Sequence, residues 1–340
     1  MTASTNPATV HAYRGPMLEN VHHVSVAVVN PHGHLLASCG TPHMTMVLRS
    51  TAKPFQAQAM FATGAMDAHL VSSEELALAC ASHDTMPQHV DRVRTWLDRL
   101  DLTEDDLGCG PHLPGHEPSR RALIRTLEDG PTPIHNNCSG KHTGMLTACS
   151  AAGWPTSGYL DVDHPLQQEI RRTVEALSGE SAVVGGTDGC SAPTFGVSVK
   201  GLATAYARLA APEAAPRPYR KGLSAAFEAM RNHPELIAGP TTLDTLLIEA
   251  YPDLVCKRGA AGGYGMGLSQ SPRGPLGVGV WVHDGSSEAR SCAVLQVLDF
   301  LGCTPTNTAP LDRFDGLVRR NCRNVAVGSY KAHLGLRWTE

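Results

Sequence analysis

The chain has 340 residues, 42% hydrophobic and 18% charged, and a formal net charge of −4. That is enough apolar chain for a substantial core, and it excludes a largely disordered protein. The mild acidity and the lack of a basic run argue against a dedicated nucleic-acid binder, and the longest apolar runs fall short of a membrane span. The N-terminal stretch has no charged segment followed by an apolar one, so a cytoplasmic protein is expected. Its ten cysteines then read as free thiols or ligands rather than a disulfide framework.

In chain order, residues 21–30 alternate apolar and small polar side chains, and 35–39 follow across Pro31-His32-Gly33-His34, which predicts a β-hairpin. Residues 52–62 predict a helix with Pro54 in its first turn. Ser50 then lies at the helix N-terminus, with Lys53 one turn later on the same face. Ser72 or Ser73 caps a helix at 74–80, and Thr85-x-x-Gln88 resembles a capping box ahead of an amphipathic stretch at 90–100. Residues 108–118 form a Pro/Gly-rich loop, and helices follow at 120–127, 141–151 and 165–177. Residues 185–190 (Gly-Gly-Thr-Asp-Gly-Cys) read as an irregular loop, followed by helices at 192–209 and 223–230. Strand-like segments at 254–257, 264–269 and 276–283 precede a closing helix at 287–301, and residues 304–340 look irregular. A hairpin, a helical middle, and then strands and a terminal helix give an α+β architecture, with an antiparallel sheet built from both chain ends.

Only six lysines occur, and three stand in motifs where arginine could not serve as a base, because a guanidinium stays protonated. Lys53 closes Ser50-Thr51-Ala52-Lys53, Lys141 closes Cys138-Ser139-Gly140-Lys141, and Lys257 opens Lys257-Arg258-Gly259. Ser-x-x-Lys sets a hydroxyl and an amine one helical turn apart, so a neutral amine can activate the oxygen. Taken alone, the motif is better explained as an N-capping serine followed by a solvent-exposed lysine. A lysine-x-glycine strand lets an amine reach a site while the backbone approaches a substrate closely. Ser82-His83-Asp84 ends a helix of the insertion and offers a second serine; three adjacent residues cannot form a relay through their own side chains. Cys138 and Cys190 lie in glycine-bearing loops where thiolates are favoured, and two thiolates with a third ligand would suit zinc. His135, His142 and Lys141 are the candidates for that third ligand.

Together, Leu48-Arg49-Ser50-Thr51-Ala52-Lys53-Pro54, Cys80-Ala81-Ser82-His83-Asp84, His135-Asn136-Asn137-Cys138-Ser139-Gly140-Lys141-His142, Thr187-Asp188-Gly189-Cys190 and Lys257-Arg258-Gly259-Ala260 resemble the asparaginase II family, the rhizobial-type class 3 L-asparaginases. The motif order also resembles the penicillin-recognising serine hydrolases. The resemblance implies a serine β-lactamase-like fold, a homodimer, and hydrolysis of L-asparagine to L-aspartate and ammonia. It implies two Ser–Lys pairs, Ser50 with Lys53 and Ser82 with Lys257, and a zinc ion at Cys138, Lys141 and Cys190. Arg49, His83 and Asp188 are the expected holders of the substrate's charged groups. Backbone N–H groups of Ser50 and of Arg258 or Gly259 are the expected oxyanion donors. Residues 10–303 are expected to form one catalytic domain with a helical insertion at about 65–215, leaving 304–340 as a tail. The chain departs from the family's Gly-Ala-Glu-Gly at Gly259-Ala260-Ala261-Gly262. The rival readings are a β-lactamase or D-alanyl peptidase, and a binding protein of this fold without turnover.

Overall fold

A computed structural model describes residues 8–339, apart from 128–129, 309–310, 312–313 and 315–316. Strands β1 (Thr9–Arg14), β2 (Met17–Val29) and β3 (Leu35–Cys39) open the chain. β4 (Thr45–Val47), β5 (Val183–Thr187) and β6 (Pro193–Ser198) come from the middle. β7 (Leu254–Arg258), β8 (Gly263–Leu268), β9 (Leu276–Val282), β10 (Arg319–Arg320), β11 (Ala326–His333) and β12 (Arg337–Trp338) complete the set. The large sheet runs β10-β11-β1-β2-β9-β8-β7, with β3 joined to β2 and β12 to β3. Its ladders are antiparallel. Both chain ends therefore build the sheet, and the helices between them form a separate layer, as the sequence predicts. A second antiparallel sheet of order β4-β6-β5 joins the start of the helical region to its end. No helix among the described residues is long and apolar enough to cross a membrane.

Alternation places Val24, Val26 and Val28 of β2 and Val278, Val280 and Val282 of β9 in the core, each exposed by 1% or less. The helix Val199–Ala210 lies across β9, β8 and β2. It can lie that close because glycine faces it: a Cβ on Gly277 would overlap the Ala203 carbonyl, and one on Gly265 would overlap the Tyr206 ring. Tyr206, held there, donates its hydroxyl to the Thr51 carbonyl at 2.8 Å. The sheet thus reaches the turn that carries Ser50.

Several local expectations give way. Residues 52–62 are a 3-10 turn (Arg49–Ala52) followed by the short helices Lys53–Gln56 and Ala59–Ala62. Every residue from 51 to 60 is buried, so the segment follows the packing around it instead of presenting one wet face. The Thr85 capping box does not form. Thr85 has φ +54° and donates its hydroxyl to the His135 carbonyl at 2.8 Å, and the helix Pro87–Asp98 is capped by His89, whose Nδ1 accepts from Met86 N. The segment 192–209 opens as strand β6, where Phe195 and Val197 suit a pleated surface, and Ser198 then caps the helix by accepting from Gly201 N at 2.9 Å. Much of the expected loop 185–190 is strand, since β5 runs to Thr187. Helix Leu243–Ala250 was not expected. Nor is the tail irregular throughout. β11 pairs with β1 from Thr9↔His333 to Arg14↔Gly328, and β12 pairs with β3. These strands are held through backbone ladders and carry little apolar alternation, which leaves no periodic signal in the sequence. Tail residues 309–310, 312–313, 315–316 and 340 lie outside the described residues.

Candidate active site

The Ser50 turn is pinned on both sides. Leu48 N donates to Phe195 O at 2.9 Å, and Thr51 Oγ1 donates to Leu48 O at 2.6 Å. Gly259 at the end of β7 packs against the same turn: a Cβ there would meet Thr51 Cγ2 at 2.9 Å and Leu48 O at 3.1 Å. Ser50 is half-buried, and among the described residues its hydroxyl makes no hydrogen bond. Lys53, one turn on, is 1% exposed. Its Nζ donates to Ser82 Oγ at 2.9 Å, to the Ala81 carbonyl and, more distantly, to Asn137 O at 3.5 Å. Lys53 joins Ser82 directly, and neither a Ser50–Lys53 nor a Ser82–Lys257 side-chain hydrogen bond is present. Ser82 is positioned by its own N–H, which donates to Ile237 O at 2.9 Å beyond the helix Ser73–Ala79.

Lys257 is fully buried and faces a partner that the sequence reading missed. Its Nζ lies 3.5 Å from Asp244 Oδ2, with both side chains at 0% exposure, and 3.1 Å from the Arg258 carbonyl. Burial lowers the Lys257 pKa to about 7, against the opposing pull of Asp244. For Asp244 itself, burial works to raise the pKa, but the charges of Lys257 and Arg258 prevail and hold the carboxyl below its ordinary value. Asp244 Oδ2 also accepts from Arg258 N at 3.1 Å, and Gly259 N donates to Gly263 O at 2.9 Å. Arg258 N and Gly259 N, the alternatives for the second oxyanion donor beside Ser50 N, are therefore already engaged. Ser50 N and Ala260 N are left without an acceptor among the described residues.

Next to Asn137 lies a cluster of sulfur and nitrogen. Cys138 and Cys190 are 5% and 4% exposed, and Lys141 Nζ donates to Cys190 Sγ at 2.9 Å. Cys138 Sγ sits 3.0 Å from the Asn137 side-chain amide. A hydrogen bond between the two thiols pulls the Cys138 pKa well down and pushes that of Cys190 up. Burial opposes the Lys141 ammonium, but the neighbouring sulfurs outweigh it and raise its pKa. Two thiols and an amine converging out of water are a donor set that fits a thiophilic cation, whose binding displaces the ligand protons. Among the described residues no three His, Cys, Asp or Glu side chains are placed to hold a metal, so the fit depends on the lysine. His135 is engaged with Thr132 through Nδ1, and His142 Nδ1 bonds the Tyr159 hydroxyl at 2.6 Å. His142 Nε2 is buried without a partner.

The expected substrate holders are largely committed elsewhere. Arg49 pairs with Asp188 at 2.6 Å. Burial works to raise the Asp188 pKa, but the hydrogen bond and charge of Arg49 bring it below the ordinary value. His83 is fully buried: its Nδ1 accepts from Thr85 N at 3.2 Å and its Nε2 lies 2.9 Å from Ser139 Oγ. Burial holds its ring neutral by lowering the pKa well below the ordinary value. It has no free donor for a substrate carboxylate. Arg49, Thr85, Ser191 and Ala261 all adopt positive φ (49°, 54°, 67° and 55°). Such strain in non-glycine residues costs about 1–3 kcal/mol each and gathers at functional sites. Each of the four adjoins a residue named above: Ser50, Asp84, Cys190 or Ala260. Ala261 itself is exposed, so a glutamate at that position would begin at the surface of the β7–β8 turn.

A search of curated protein sequences gave no match. Among solved structures, the chain is similar to Mglu in its native form, with 14% identity and a TM-score of 0.48 over 84% of this chain and 65% of that one. The chain thus spans about two thirds of the length of Mglu. A Bacillus glutaminase solved in 4.3 M NaCl aligns at 13% identity and TM-score 0.47, over 83% of this chain and 91% of that one. A β-lactamase from Sphaerobacter thermophilus DSM 20745 aligns at 15% identity and TM-score 0.44, over 83% and 92%. At such scores the likeness describes shape, and nothing about activity follows from it. The family model for L-asparaginase II, in contrast, matches residues 10–332. With nearly its whole length matched, the chain belongs to the L-asparaginase II family.

Proposed function

We propose that the protein is an L-asparaginase, hydrolysing the side-chain amide of L-asparagine to L-aspartate and ammonia with Ser50 as nucleophile. Family membership supports an amidohydrolase. The observation that carries the Ser–Lys reading is the buried Lys53 amine at 2.9 Å from Ser82 Oγ, one turn from a serine whose hydroxyl is unengaged. In the first half-reaction Ser50 Oγ attacks the amide carbon and gives its proton to Lys53 in its neutral form. The oxyanion faces the free N–H groups of Ser50 and of Ala260, the latter in place of Arg258 or Gly259. Ser82 accepts from Lys53 and can pass its own proton to the leaving nitrogen, with Lys257 as a second source. The C–N bond breaks, ammonia leaves, and water then hydrolyses the aspartyl ester and restores Ser50.

Cys138, Lys141 and Cys190 would hold zinc, with Lys141 giving up its proton on binding. Bound there, the ion would supply positive potential and help to position substrate. Metal analysis of protein purified without chelator should find about one zinc per chain. Cys138→Ser, Cys190→Ser and Lys141→Met should each lose it, whereas His142→Ala should keep it. Retention of zinc by Lys141→Met would remove lysine from the ligand set.

Ser50→Ala should lower ammonia release from L-asparagine by about a thousandfold or more while the protein stays folded by circular dichroism. L-Glutamine and a chromogenic β-lactam run in parallel separate the asparaginase from its rivals. Wild-type-like turnover in Ser50→Ala would sink the nucleophile assignment.

If Lys257 donates a proton, its ammonium is the active form, so kcat/KM falls as pH rises through about 7. Asp244 raises the Lys257 pKa, so Asp244→Asn should move that falling limb to lower pH. An unmoved limb in a folded variant would exclude Lys257 from the proton path.

A further inference from the structure

A cleft of about 560 Å³ opens beside the site, lined by Asp84, His116, Glu117, Thr242, Arg258 and Arg290 among others. Ser50, Lys53 and Ser82 do not line it. Two of its lining residues neighbour the proposed machinery in sequence: Asp84 follows Ser82 by two residues, and Arg258 follows Lys257. Arg290 braces the same corner: its Nη1 donates to the Gly259 carbonyl at 2.9 Å, one residue before the free Ala260 N–H.

The charged groups here are underused. Asp84 is 4% exposed, yet its carboxylate accepts no hydrogen bond among the described residues. Its ion-pair partner is Arg258, with Nη2 at 3.8 Å from Oδ1, too far for a hydrogen bond. The Arg258 guanidinium donates no hydrogen bond either, and Arg290 Nε is buried without an acceptor. Gly239 makes room for this arrangement, since a Cβ there would overlap the Asp84 carboxylate. Leaving a carboxylate so buried without donors is costly unless a ligand supplies them. Thr242 adds a hydroxyl to the lining, although it donates to Gly239 O at 2.9 Å. A carboxyl group and a guanidinium that face each other at 3.8 Å with no hydrogen bond between them complement the ammonium and carboxylate that an α-amino acid carries on a single carbon.

We infer that this cleft recognises the α-amino acid end of the substrate, with Asp84 taking the ammonium and Arg258, backed by Arg290, taking the carboxylate. The inference rests on the amidohydrolase reading above and replaces Arg49, His83 and Asp188 as the holders of those groups. It also supplies a reason for selectivity: simple amides lacking either charge leave a buried polar group unpaired.

Three amides test it: L-asparagine, succinamate (no ammonium) and β-alaninamide (no carboxylate). Asp84→Asn should lower kcat/KM for L-asparagine about tenfold or more and leave succinamate nearly unaffected. Arg258→Gln should do the same for L-asparagine and spare β-alaninamide. Equal losses on all three amides, or no loss, would overturn the assignment. Thermal melts check folding, and if Asp84→Asn does not fold, Arg258→Gln, whose side chain is 26% exposed, decides the question. If the wild type releases ammonia from none of the three, the functional reading has failed, and calorimetric titration with L-asparagine and L-aspartate decides the cleft separately. Binding to wild type that both variants lose would support it. Binding unchanged in the variants, or absent from wild type, would overturn it.

Discussion

Two lysine amines buried within one core, Lys53 at 1% and Lys257 at 0% exposure, constrain everything around them. An unpaired ammonium out of water costs several kcal/mol, so each must be met by acceptors or lose its proton. The fold answers differently in the two cases. Lys53 is given two carbonyls and the Ser82 hydroxyl; Lys257 is given one carboxylate, Asp244, and one carbonyl. The first surrounds its amine with neutral acceptors only. The second leaves a proton that can depart near neutral pH. The two amines also repel one another, which contributes to the lowered pKa of Lys257. An amide hydrolase needs one group to take a proton and another to return it, and such an unequal pair supplies both.

Close backbone approach brings these groups together. The glycines of β8 and β9 let the helix Val199–Ala210 lie on the sheet, and Tyr206 of that helix reaches the Ser50 turn. Gly259 lets the end of β7 touch the same turn. Asn137 links Lys53 to the sulfur cluster, its carbonyl accepting from Lys53 and its side-chain amide lying beside Cys138. The proposed nucleophile, the proton path and the thiol–amine cluster therefore lie in one region, although they come from segments more than 200 residues apart, from Ser50 to Lys257.

Much of this was legible in the sequence for a chemical reason. A chain that uses lysine six times and places it in Ser-x-x-Lys, Cys-x-x-Lys and Lys-x-Gly advertises amines kept for reactivity. The hairpin, the strand trio and the terminal helix were legible because burial on one face imposes alternation or a helical period. Asp244 was not. It sits in Leu243-Asp244-Thr245-Leu246-Leu247, where one acidic residue in an apolar run looks like the wet side of a helix, and only the tertiary packing turns it onto Lys257. Arg258 was read as the variable middle residue of a motif, and its freedom from hydrogen bonds shows only in three dimensions. The strands of the tail were missed because pairing through backbone leaves no mark on side-chain identity. His83, an expected holder of the substrate's charged groups, instead has both its nitrogens engaged with the interior, through Thr85 N and Ser139 Oγ.

The central claim is that the amide carbon becomes bonded to Ser50, and trapping that intermediate tests it most directly. Wild-type protein would be mixed with L-asparagine, quenched in acid at successive times, and followed by ammonia assay, intact mass and peptide mapping. Under this mechanism ammonia release is accompanied by an aspartyl mass increment on the peptide that carries Ser50. Ammonia released in the first turnover with no labelled peptide, or with the increment on another residue such as Cys190, would contradict it.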